Sequence, residues 1–344
     1  MAETRHVAIT ILAISVLLAG FFGVWLWTDV QRAMTSPIAL DHSSLRYVIK
    51  PGMTLRAVAY ELADLGVLKH PNYMILVGRL RGNEGEIKVG EYEFSPASTP
   101  LQMLDDFVKG KVLQYALRLI EGWTFSEVLA AVKNDEHLIH HLTDYDHETV
   151  MTKLGQPGVH PEGRFFPDTY FFPLGTTDID FLLWAQKTMD EVLAEEWTRR
   201  DFDLPYNSPH AALIMASIIE KETGVPEERS KISGVFVRRL QRGMKLQTDP
   251  TVIYALGDQF EGNIKRTHLD IDSPYNTYRN RGLTPTPIAM PGADSIHAAL
   301  HPAAGDALYF VSKGDGTHHF SGSLAEHKQA VKKYQLNSMS VTRE

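Results

Sequence analysis

Nine uncharged residues, 211–219, run directly into Glu220, and further on the chain reads Leu246-Gln247-Thr248-Asp249-Pro250-Thr251. A helix that is apolar on every face is normally buried. A carboxylic acid at the end of such a helix sits where apolar packing meets a polar loop, and there a useful fraction can stay protonated near neutrality. A protonated carboxyl in a cleft can donate to a leaving oxygen, the central step in breaking a glycosidic bond. Glu220 and Glu222 are two positions apart, so on a helix they point to opposite sides. With Met215 and Ile219 inward, Glu220 is expected closer to the buried surface, and Glu222 near the frayed, hydrated end. The structural alternative for Glu220 is an ion pair with Arg229 or Lys245.

Glycosidases of the usual kind need two carboxylates. Asp249 is one candidate partner, although its place before Pro250 also suits a helix cap. Asp168 is another; it lies in residues 161–173, a segment dense in aromatic rings and interrupted by three prolines and a glycine. Rings on such a loop can stack on sugar faces or pin the loop to a core. His137, His140, His141 and His147 form a cluster, and His297 and His301 are spaced for one face of a helix. Neither group carries the base found in a His-Glu-x-x-His site. Solvated surface histidines, no metal and no cofactor are therefore expected.

Several elements must position these groups. Ser208-Pro209 is a helix start, a capping residue followed by proline at the first position, and the helix should run to about Glu222. Pro226 opens the next helix, with Ile232, Val235, Phe236 and Leu240 as its buried stripe and Gly243 as its stop. Pro250 opens a short helix through Leu256, and residues 273–291 form a long loop holding Tyr275, Asn276 and Tyr278. A helix over 294–301, a hairpin pairing 307–312 with 318–321, and a helix over 324–334 end the chain. Upstream, residues 47–49 and 89–94 read as strands. Helices over 55–65, after Thr54, and over 73–80 lie between them, and a helix over 100–109 follows. Residues 114–120 alternate like a strand, and helices are expected over 125–133 and 181–193.

The chain has 344 residues, with 44% hydrophobic and 22% charged, and room for two or three domains. A net charge of −8 without a long basic run argues against a nucleic-acid partner. The absence of cysteine removes disulfides, thiolate metal sites and cysteine nucleophiles together. Residues 7–27 contain no charge; as a helix they would span roughly 31 Å, close to the ~30 Å of a bilayer core. An uncleaved anchor is expected there, with a short cytoplasmic tail (residues 1–6), Trp25 and Trp27 at the outer interface, and residues 28–45 as a linker. A cleaved signal peptide is the rival reading.

Residues 46–112, in strand–helix–helix–strand order with Tyr47 to Leu55 at their start, resemble a LysM module, which implies a small fold that binds N-acetylglucosamine polymers; Met53 stands where such modules often carry Asp. Ala216-Ser217-Ile218-Ile219-Glu220-Lys221-Glu222-Thr223, Val235-Phe236-Val237-Arg238-Arg239-Leu240, Leu246 to Tyr254, Tyr275-Asn276-Thr277-Tyr278 and Pro291-Gly292-Ala293-Asp294-Ser295-Ile296 come in one order along the chain. Together with Glu162-Gly163 and Pro167 to Tyr170 they resemble the YceG-like endolytic murein transglycosylases.

That resemblance implies an α+β protein with a single N-terminal membrane helix, the small LysM-like βααβ domain, and an α+β catalytic domain over residues 113–344. It implies endolytic cutting of nascent peptidoglycan between N-acetylmuramic acid and N-acetylglucosamine, leaving 1,6-anhydro ends, from a single-pass position in the inner membrane with the catalytic domain in the periplasm. Glycan strands are the implied substrate, and peptidoglycan synthases the implied protein partners. The resemblance puts the catalytic acid on Glu220, with Gln247, Asp249, Asn276, Tyr278 and Asp168 in supporting roles. Two other readings stay open: a non-catalytic peptidoglycan-binding scaffold, and a lysozyme-like hydrolase pairing Glu220 with Asp249.

Overall fold

The computed structural model describes residues 2–40 and 43–336. The chain divides into two compact units, Met1–Tyr115 with Phe172–Gly175, and Ala116–Phe171 with Thr176–Glu344.

The first unit opens with helix α1, Ala2–Thr35. It is the one helix among the described residues long and apolar enough to cross a membrane, and its apolar window is unburied. The linker expected from residue 28 begins later than that. The helix continues to Thr35, because Val30 and Met34 on one face, followed by Ile38, are buried in the unit's core. Strands β1 (Leu45–Ile49) and β2 (Gly90–Phe94) pair antiparallel, Tyr47 opposite Tyr92. Between them lie helices α2 (Leu55–Asp64), capped by the Thr54 side chain, and α3 (Pro71–Leu80). Helix α4 (Pro100–Lys109) drives Phe107 edge-on against Tyr92 and Phe94.

Thr99 and Gln102 close α4 with a reciprocal capping box, Thr99 Oγ1 accepting from Gln102 N and Gln102 Oε1 accepting from Thr99 N. Thr99→Ala removes half of that box, at a cost of about 1 kcal/mol. The expected result is roughly fivefold faster amide exchange along α4, read by hydrogen exchange; unchanged protection would mean the cap contributes nothing.

Strand β3 (Gln114–Arg118) pairs with β4 (Thr169–Pro173). β4 falls inside the aromatic segment expected to be irregular. Its partner is distant in sequence, so the segment's own composition did not announce it.

The second unit contains helices α5 (Phe125–Asn134), α6 (His147–Lys153), α7 (Asp178–Arg199), α8 (Pro209–Glu222), α9 (Pro226–Gln241), α10 (Asp249–Leu256) and α11 (Ala293–Leu300). α8 is its central rod. Every residue from Ala212 to Ile219 is buried, and α7, α9, α10 and α11 pack around it, which is why its sequence is apolar on all sides. The one polar residue in that run, Ser217, is satisfied: Oγ donates to Ile214 O and accepts from Ile288 N. The hairpin of β5 (Tyr309–Ser312) and β6 (His318–Ser321) is antiparallel, and α12 (Leu324–Val331) packs on both strands.

Candidate active site

The C-terminal end of α8 presents two carboxylates on two faces. Glu220 points to the side of Gly122 and Gly292, where its Oε2 accepts from Gly292 N–H at 3.0 Å. Beside it lies Glu121, whose carboxyl is pushed up by burial and then by the charge of Glu220. Neither cation considered for Glu220 pairs with it: Arg229 forms an ion pair with Asp294 at 3.0 Å, and the Lys245 ammonium donates a hydrogen bond to the Tyr278 carbonyl. Glu220 thus clamps the turn before α11. The residues expected to surround it are absent from that side.

They surround Glu222. A cleft of about 420 Å³ is lined by Glu222, Gln247, Asp249, Tyr278, Arg239 and His318, among others. Glu222 Oε2 accepts from the buried Thr248 hydroxyl at 2.5 Å, and burial pushes its carboxyl above the usual range, with Asp249 adding in the same direction. Both carboxylates are half-buried, and it is Glu222, not Glu220 as expected, that lines the cleft. The two-residue step along the helix separates them as expected. Which face is covered depends on loops far along the chain, and these close over Glu222.

Those loops are stitched together. Gln247 adopts a left-handed backbone (φ 52°), uncommon for a residue with a side chain, and its N–H donates to Thr277 O. Thr248 N–H donates to Thr277 Oγ1, and the hydroxyls of Thr251 and Thr277 are 2.8 Å apart. The strained turn puts Gln247 on the cleft wall and Asp249 at the start of α10. Tyr278 donates its hydroxyl to Asp249 Oδ1 at 2.5 Å, and burial first, then this bond, holds it protonated well above the usual phenol range. Asn276 is not a wall residue. Fully buried, it donates to the carbonyls of Leu269 and Ile271 and accepts from Tyr278 N–H, so it sets the loop that carries Tyr278. Asp168 is exposed and accepts from the next backbone N–H, Thr169; it is not among the lining residues.

Sequence reasoning missed three further groups. Arg239, buried, donates Nε to Leu308 O and Nη1 to Leu246 O, tying β5 to the Gln247 turn. His318 enters from the hairpin and His327 from α12. In the sequence Arg239 stands only within the Val235 to Leu240 motif, and His318 only at the start of a hairpin strand. The signal that unites them with Glu222 is tertiary.

The other histidine pair, His297 and His301, comes within 4.8 Å of Glu196 at its ligand atoms. His297 Nδ1 is 2.9 Å from Glu196 and His301 Nδ1 is 2.9 Å from Asp201, so each ring has a carboxylate partner.

Residues 47–333 match the YceG-like family. The chain belongs to that family. A YceG-like protein from Listeria monocytogenes of known structure superposes with a TM-score of 0.51 at 30% identity, covering 84% of this chain and 99% of that one. This YceG-like chain is also 31% identical to the endolytic murein transglycosylase of Bacillus subtilis, over 88% of each. It is 26% identical to the protein of the same name from Streptococcus pneumoniae, covering 95% of this chain and 65% of that longer relative.

Proposed function

We propose that this YceG-like protein is a lytic transglycosylase that cuts peptidoglycan strands internally, with Glu222 as its acid. The observation that carries the reading is the half-buried Glu222 carboxyl, pushed up by desolvation in a polar cleft, in a chain whose relatives are named endolytic murein transglycosylases. An acid desolvated in this way holds its proton until a leaving oxygen needs it. Glu222 gives that proton to the oxygen joining N-acetylmuramic acid to N-acetylglucosamine as the bond to C1 breaks. The C6 hydroxyl of the muramic sugar bonds to C1 and closes the 1,6-anhydro ring. In the simplest scheme the Glu222 carboxylate takes the C6 proton and is ready again. No activated water is required, so Asp249 need not be a nucleophile; it orients Tyr278 on the cleft wall.

Helix α1 serves in this reading as a single-pass inner-membrane anchor with the cleft on the periplasmic side, which its length and apolar composition support. The first unit, with its strand–helix–helix–strand order, is the LysM-like part. Contact with the enzymes that polymerise the strands follows from cutting nascent glycan.

The test is mass analysis of the ends formed from defined glycan strands. Anhydro ends, lighter by one water than hydrolytic ends, are expected. Reducing ends would indicate a hydrolase using Glu222 with Asp249, and intact strands a binding scaffold. Glu220→Gln, whose amide oxygen still accepts from Gly292 N–H, should cleave at close to the wild-type rate; its inactivity would return the acid to Glu220.

A further inference from the structure

The simplest scheme asks one carboxyl, that of Glu222, to give a proton and take another within a single step. The cleft holds a second group suited to the second task. Glu228, buried in the first turn of α9, accepts two hydrogen bonds from His318: Oε1 from the backbone N–H at 3.0 Å, and Oε2 from Nδ1 at 2.7 Å. The Glu228 carboxylate lies at the positive end of the α9 dipole and only accepts, so Nδ1 carries the hydrogen. The Phe310 ring meets the imidazole edge-on at 5.3 Å and fixes its plane. Nε2 is then the acceptor nitrogen. It has no hydrogen-bond partner among the described residues, on a side chain that lines the same cleft as Glu222. Glu228 from α9 is hydrogen-bonded to the imidazole, and the charged and titratable groups that share its cleft are Arg239 from α9, Glu222 from α8, Asp249 from α10, Tyr278 from its loop, Tyr309 from β5 and His327 from α12.

We infer that His318, held by Glu228, is a separate base for the reaction, taking the proton from the C6 hydroxyl while Glu222 delivers its own to the leaving oxygen. This rests on the assignment of Glu222 as the acid. The C1–O bond to the leaving sugar breaks and that oxygen receives the Glu222 proton. The C6 oxygen bonds to C1 and its proton moves to Nε2. The imidazolium, balanced by the Glu228 carboxylate, then returns that proton to Glu222 through water. Nothing is oxidised or reduced, and no other reactant is consumed.

The test uses the full-length protein in detergent with purified glycan strands. In His318→Asn the amide nitrogen stands where Nδ1 stood and keeps the bond to Glu228, but nothing replaces Nε2. Cleavage should fall by about 10²-fold or more, with KM unchanged, and the acid-side limb of the kcat/KM profile, which reports a base that must be unprotonated, should disappear. In His318→Ala, added imidazole should restore part of the lost rate. Wild-type cleavage by His318→Asn would overturn the inference. So would a loss that keeps the acid-side limb and ignores imidazole, since that pattern marks a merely structural role. Glu222→Gln run in parallel separates the two levels: an inactive Glu222→Gln beside an unaffected His318→Asn removes only the base, whereas an active Glu222→Gln removes the acid on which the inference depends.

Discussion

Glu222→Gln should lower glycan cleavage by about 10²- to 10⁴-fold while leaving the fold intact. The amide is close in size, and its oxygen can still accept from the Thr248 hydroxyl that now meets Glu222 Oε2. The cleft therefore keeps its shape and its other polar walls, and strand binding should survive. The proton that departs with the leaving oxygen is what the variant lacks. In the wild type, burial pushes the Glu222 carboxyl up, so the protonated, competent form persists to higher pH than for an ordinary glutamate. Activity should then decline on the alkaline side as that proton is lost, and the glutamine variant should show no such limb. Single-turnover cleavage across a pH series, with a melting curve as the control for folding, decides it. A variant within a few fold of wild type would exclude Glu222 as the acid.

A large effect on stability is expected at Glu162. This residue is 2% exposed, accepts from Phe125 N–H at 2.9 Å and the Tyr254 hydroxyl at 3.0 Å, and is pushed by burial from 4.5 up to about 7. The folded chain keeps this proton to higher pH than the unfolded chain does. Between about 4.5 and about 7 the unfolded state binds fewer protons, so stability falls as pH rises through that window. Below it both states are protonated, and above it both are ionised. The loss across the window is about 3 kcal/mol. Glu162→Gln keeps an acceptor for Phe125 and a partner for Tyr254 but cannot ionise. Its melting temperature should exceed the wild type's by several degrees at pH 8 and approach it near pH 4. Calorimetry at the two pH values checks this, and equal melting at pH 8 would show that the buried carboxylate carries no such cost.

Local signals in the sequence were strong where one residue decides one event. Ser208-Pro209 starts α8, and Thr54 caps α2. The apolar run of α8 reads directly as its burial. Signals failed where the deciding partner lies far along the chain. The carboxylates of α8 diverge by geometry alone, but the face that becomes a cleft is chosen by the turn at Gln247, the loop at Tyr278 and the hairpin at His318. Glu228 and His318 are 90 positions apart, and their bond exists only once α9 and β6 have packed. Strand β4 has the same character, since its ladder is supplied by β3. Helix α6 is short, and its Asp146 cap sits in a histidine-rich stretch without a periodic apolar face to announce it.

The continuity of α1 has a mechanical consequence. A disordered tether lets its load wander over a hemisphere whose radius is the tether's length. A helix that ends with Val30 and Met34 inside the core of the first unit has no such slack. Residues 29–35 add only about 10 Å of rigid rise beyond Thr28. Inserted in a bilayer as proposed, α1 acts as a post: the first unit stands at a set height above the surface, and any tilt of the helix in the lipid is delivered to that unit as a rotation.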